Sequence, residues 1–155
     1  MNYTFRIKDR VFYIGTRLTC KVKGVNSDLG DNQHFLMWDY DDTEKDKMMS
    51  ELATIQKRYQ LPPVYVMRSN PARGYHAYCF KSVTWSECKQ ILTASDGIDK
   101  KYLAIGILRG FFTLRYSPCG DEEITLEDSL PSIYPEDVNP LEFTSFSTYT
   151  KKRRA

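Results

Sequence analysis

Hydrophobic and polar positions change period several times along this chain. Residues 3–7 alternate, and residues 11–22 are rich in β-branched and aromatic types around Gly15, which predicts extended strands. The next stretch, GVNSDLGDNQ, carries the breakers Gly24, Asn26, Gly30 and Asn32 and predicts a loop. Residues 34–41 (HFLMWDYD) then read as a strand, followed by Asp42. Thr43 opens a helix, with Asp46 as a weak capping-box partner and Met48, Leu52, Ile55 and Tyr59 on one face. Leu61-Pro62-Pro63 stops it. Residues 64–68 (VYVMR) predict a strand, SNPARG a turn and residues 75–80 (YHAYCF) another strand. Thr84-Trp85-Ser86-Glu87 is a capping box, and Trp85, Cys88, Ile91 and Leu92 mark a second amphipathic helix that ends before Gly97. Residues 102–108 and 111–117 are apolar-rich and predict two strands joined at Arg109-Gly110.

From residue 34 to 117 the order is β-α-β-β-α-β with one added strand. That is the split βαβ pattern of an α+β, ferredoxin-like or RRM-like core, here preceded by extra N-terminal strands. In that topology the first and third strands are antiparallel neighbours in the sheet centre and both helices cover one face. From Pro118 onward the periodicity stops, and four of the seven prolines fall there. Residues 1–120 therefore read as one domain with its core at 34–119. Residues 121–155 read as an irregular acidic tail, with Tyr134, Phe143, Phe146 and Tyr149 as scattered anchors.

Composition agrees with one globular domain: 155 residues, 41% hydrophobic and 14% aromatic. The net charge of +2 hides an uneven layout. Lys151, Lys152, Arg153 and Arg154 close the chain, whereas no Lys or Arg lies between Arg115 and Lys151, where eight acids occur. Any polyanion must therefore be met by a local patch. No apolar run approaches a membrane span, and MNYTFRIKDR lacks the apolar centre of a signal peptide, so no membrane partner is expected. Cys20, Cys79, Cys88 and Cys119 contain no CxxC pair. Structural zinc is not expected, and reduced thiols in a cytoplasm are.

Candidate chemistry gathers at strand ends. Asp39 and Asp41, two apart, share a face about 7 Å from each other, and a hard divalent cation such as Mg²⁺ or Mn²⁺ relieves their repulsion. His76 begins the antiparallel third strand, level with the end of the first, where it can bind a phosphate or position a reacting group. Asp99 offers a third carboxylate after the second helix. Arg115 and Ser117 share a face of the last strand, and an Arg in an apolar strand needs a carboxylate or an anion. Ser69 and Arg73-Gly74 add a hydroxyl, a guanidinium and a flexible turn. P-loop and dinucleotide fingerprints do not occur. His34 and His76, the only histidines, form no HxH pair, and Cys79 lies on the opposite strand face from His76.

With FLMWDYDD, SNPARGYHAY, GIDKKY and FFTLRYSP in that order, the chain resembles the archaeo-eukaryotic primase and primase-polymerase superfamily over roughly residues 34–119. That resemblance implies a minimal, viral or mobile-element primase core, working in the host cytoplasm if viral. It implies that Asp39, Asp41 and Asp99 hold catalytic Mg²⁺ or Mn²⁺, with His76 beside them. Ser69, Arg73, His76, Arg115 and Ser117 would contact a nucleoside triphosphate. The expected activity is metal-dependent nucleotidyl transfer that makes or extends primers in DNA replication on a single-stranded DNA template, with a separate helicase or replication protein as partner. Relatives place a Lys where this chain has Cys119. The alternative is a non-catalytic nucleic-acid-binding or replication-accessory module that uses the open sheet face.

Overall fold

The computed structural model describes residues 2–7, 10–15, 19–70, 72, 74–119 and 122–152, with residues 2–7, 10–15 and 152 described by their backbone. It is a mixed α+β structure. β1 (Asn2–Ile7) and β2 (Arg10–Gly15) pair as a separate hairpin. There follow β3 (Thr19–Asn26), β4 (Asp28–Gly30), β5 (Gln33–Tyr40), α1 (Lys45–Tyr59), β6 (Val64–Asn70), β7 (Gly74–Thr84), α2 (Trp85–Thr93) and α3 (Lys100–Arg109). The chain ends with β8 (Thr113–Arg115), β9 (Thr125–Leu130), a 3-10 turn at Pro140–Glu142, and β10 (Phe146–Lys152). Five strands form one antiparallel sheet in the order β4-β5-β7-β6-β9, and three form another in the order β10-β3-β8.

β5 and β7 are antiparallel neighbours inside the larger sheet, as the pattern predicted for its first and third strands. Phe35, Leu36, Met37 and Trp38 are all fully buried because both faces of the sheet are covered. On one face lie the helices: the Tyr40 hydroxyl bonds Glu51 of α1 and Ser95 after α2. On the other, Phe35 stacks on Phe143 at 4.5 Å. Here Tyr65, Met67, Tyr78 and Phe80 face Val25, Tyr116 and Phe146 across an apolar cavity of about 480 Å³.

Several expectations are corrected. Residues 102–108 are helix, not strand. Their apolar run is set by its ends: the Asp99 carboxylate accepts from the Tyr102 N–H at 2.6 Å, and Gly110 at φ 83° makes the left-handed C-cap that any L side chain would strain. The following strand is short, and it joins β3 rather than the sheet containing β5. The stretch 24–33 is not one loop, because β3 runs to Asn26 and β4 pairs with β5 around Asp31 and Asn32, both at positive φ. α1 starts at Lys45 after Glu44, with no side-chain cap, whereas the Thr84–Glu87 capping box of α2 forms as expected.

The segment beyond residue 121 is not an irregular tail. β9 pairs with β6 and β10 with β3, so it supplies an edge strand to each sheet. The thiols also depart from the reduced state expected. Cys20 and Cys119, 99 positions apart, form a disulfide, while Cys79 and Cys88 are free and buried. Among the described residues, no helix is long and apolar enough to cross a membrane.

Candidate functional site

Register sets the centre of the site. Asp39 and His76 are direct partners across β5 and β7, and Asp39 Oδ1 lies 3.6 Å from His76 Nε2. They sit on the face turned toward the three-stranded sheet, where β8 and β10 close over them. The result is a polar pocket of about 180 Å³ whose wall contains Asp39, Asp41, Ser69, His76 and Arg115. These five expected residues come from four separate segments of the chain.

His76 is only 6% exposed. Burial, reinforced by the positive charges of Arg115 and Lys151, pushes its pKa down to about 3, so the ring is neutral at physiological pH. The carboxylate of Asp39 does not offset those effects. Arg115 is 3% exposed and held as a fixed cation. It donates from Nη2 to the Ser69 carbonyl at 2.6 Å, and from Nη1 to the carbonyls of Ser117 at 2.8 Å and Glu122 at 3.0 Å. The Glu122 carboxylate stands 3.5 Å from Nη2. This answers the need of a buried guanidinium for partners with carbonyl oxygens and one acid. Two buried nitrogens in the pocket wall, His76 Nδ1 and Arg115 Nε, have no hydrogen-bond partner among the described residues. Orphaned donors and acceptors of this kind are costly in a protein interior and mark a place where a polar ligand or water is received.

The turn before His76 is shaped by Asn70, whose side-chain oxygen accepts from the Ala72 N–H at 2.8 Å. A Cβ at Gly74 would overlap the Asn70 side chain, so the glycine of this turn is fixed by close approach. Arg73 lies outside the described residues. Asp99 is near but committed elsewhere. Its N–H donates to the Asp39 carbonyl at 2.8 Å, while its carboxylate caps α3 and lines an adjoining groove of about 380 Å³ that also reaches Asp39 and Tyr149. Ser117 is not in the polar pocket: its hydroxyl accepts from the Lys23 N–H at 2.7 Å and ties the end of β8 to β3.

Asn70, Tyr149 and Lys151 also line the pocket, outside the candidate set that the sequence offered for it; Tyr149 was expected only as an anchor and Lys151 only in the terminal basic cluster. The last two come from β10, where the two-residue spacing in FSTYTKK puts them on one face. That alternation was visible, but pairing with β3 is what carries it to the site.

An implied Mg²⁺ or Mn²⁺ can be weighed against these donors. Among the described residues, no group of three or more His, Cys, Asp or Glu side chains is gathered to hold an ion. Asp39 and Asp41 remain as two hard carboxylates on one pocket. That is the donor set of a Mg²⁺ completed by water and ligand phosphates, not of a closed protein cage. The residues fit one such ion. No family model matches the chain, and neither a curated protein nor a solved structure matches it.

Proposed function

We propose that this chain is a metal-dependent nucleotidyltransferase of the primase or primase-polymerase type, which makes or extends primers on single-stranded DNA in replication. The observation that carries the reading is the convergence of Asp39, Asp41, Ser69, His76 and Arg115 on one pocket. A ferredoxin-like core, built from β5-α1-β6-β7-α2, belongs to the same proposal. The neighbour order β5-β7-β6 supports it, while the placement of β8 in the other sheet departs from it.

In this reading Asp39 and Asp41 hold Mg²⁺ or Mn²⁺ together with the phosphates of a nucleoside triphosphate. When bound, such an ion would supply positive charge to the phosphate oxygens and the leaving pyrophosphate. Arg115, held by three backbone carbonyls, presents a fixed guanidinium to the same phosphates. His76, neutral, offers one donor and one acceptor to the same phosphates from beside the Asp39 carboxylate, 3.6 Å away. Asp99 serves through the α3 cap beside them. A helicase or other replication protein is the partner such a small core needs, and a cytoplasmic site of action belongs with it. In such a compartment a disulfide is a transient, redox-sensing feature.

The accessory-module reading loses the open sheet face expected for it, since both faces are covered, but another observation favours it. The adjoining groove has Lys101, Arg109, Phe111 and Tyr149 in its wall, a mix of cations and rings suited to a single strand, and needs no carboxylate. Primer extension with Mn²⁺ on a single-stranded template separates the two. Incorporation by wild type and none by Asp41→Ala supports the enzyme. No incorporation, with single-strand binding that survives Asp41→Ala, overturns it in favour of the module.

A further inference from the structure

The polar pocket contains a second cation that lies outside the strand motifs named above. Lys151 of β10 lines it, and its Nζ stands 3.2 Å from the Glu122 carboxylate. The same carboxylate stands 3.5 Å from Arg115, and the Glu122 carbonyl accepts from Arg115 as well. Glu122 thus yokes the two cations of the pocket from one side.

The disulfide is attached to this yoke at both ends. Cys119 and Glu122 exchange backbone hydrogen bonds, N–H to carbonyl at 3.1 and 3.3 Å. Cys20, the other half-cystine, is the register partner of Lys151 across β3 and β10. One covalent bond therefore ties the strand pair that carries Lys151 to the backbone bridge that holds Glu122. Two like charges in a small pocket repel; Arg115 is pinned by the Ser69 and Ser117 carbonyls, and Lys151 is drawn to its place by the Glu122 carboxylate. An anion finding both already placed forgoes the cost of ordering them.

We propose that Lys151 is a second anion-binding residue of the pocket, positioned through Glu122 by the Cys20–Cys119 disulfide, so that affinity for phosphate groups depends on redox state. The proposal rests on the pocket receiving a phosphate-bearing ligand and adds the residue and the control. Cys20 is partly exposed and Cys119 is buried, so a dithiol reductant meets Cys20 first. Its thiolate attacks the Cys20 sulfur and displaces Cys119 as thiolate, and the reductant's second thiol then closes on the mixed disulfide to release Cys20. The reductant ends as a disulfide, and the protein has gained two electrons and two protons as two thiols. Cys79 and Cys88 take no part: burial pushes both thiols up to about 12.

The test is tripolyphosphate binding by calorimetry on the full chain, oxidised and dithiothreitol-reduced, with circular dichroism on each. Expected are a loss of about tenfold in affinity on reduction, a similar loss in oxidised Lys151→Gln, and little further loss when that variant is reduced. Equal affinity in both redox states overturns the redox control, and undiminished affinity in oxidised Lys151→Gln overturns the role of Lys151. If the reduced chain unfolds, the bond is a folding staple and the positioning role fails. Redox-dependent tripolyphosphate binding without nucleotide binding would sink the polymerase reading while leaving this one standing. No anion binding in either state ends both.

Discussion

His76 and Asp39 face each other across two central antiparallel strands, Nε2 to Oδ1 at 3.6 Å, with the imidazole buried and neutral and the carboxylate at the pocket rim. A neutral ring beside an acid is the outcome when burial and two nearby cations outweigh one carboxylate. It has a consequence for pH. In the unfolded chain His76 titrates near its ordinary 6.5, in the folded chain near 3, so between those values the unfolded state binds the extra proton. Stability contributed by the neutral ring is present above pH 6.5 and is lost as pH falls toward 3, with a slope of up to about 1.4 kcal/mol per pH unit. Burial lowers His34 in the same direction, so the difference between wild type and His76→Gln isolates the effect. Urea melts of the two proteins at pH 7 and pH 5, in EDTA, should show the wild type losing more; equal losses would mean that His76 is solvated.

Cation binding at the Asp39–Asp41 pair is part of the proposed function. Millimolar Mn²⁺ should raise the Tm of the wild type, because an ion that binds only the folded state stabilises it by mass action. Asp39→Asn with Asp41→Asn should abolish that rise. A melting temperature indifferent to Mn²⁺ in the wild type counts against the enzymatic reading.

Asp99 is expected to behave as a helix cap. Asp99→Ala should cost about 1 kcal/mol in denaturant unfolding, through the lost acceptor for the Tyr102 N–H, whereas Asp99→Asn should stay close to wild type because Asn caps equally well. Equal destabilisation by both substitutions would show that charge, not capping, is what the position needs.

Truncation at residue 120 should abolish folding. The cut removes β9 from β6, β10 from β3, and the Phe143 ring from its stack on Phe35. It also opens an edge on each sheet. Thermal scans by near-ultraviolet circular dichroism should show no cooperative transition in the fragment 1–120. A sharp transition there would restore the picture of a detachable tail.

Local signals determined much of this protein by themselves. Steps of three and four at Met48, Leu52 and Ile55 specify α1, the Thr84–Glu87 box specifies the start of α2, and the β5-α1-β6-β7-α2 order makes β5 and β7 neighbours. That neighbour relation put His76 near Asp39 if the register allowed, and the register observed makes them direct partners. Only tertiary structure decided the rest. Residues 102–108 carry an apolar run that suits a strand or a helix, and the caps at Asp99 and Gly110 settle it as helix. β8, β9 and β10 are short or polar, so their partners follow from long-range pairing and not from period. That pairing brings Lys151 and Tyr149 into the pocket, turns Ser117 away toward Lys23, and joins Cys20 to Cys119 across 99 positions. Periodicity reports which face of an element is buried; it holds no information on which distant element does the burying.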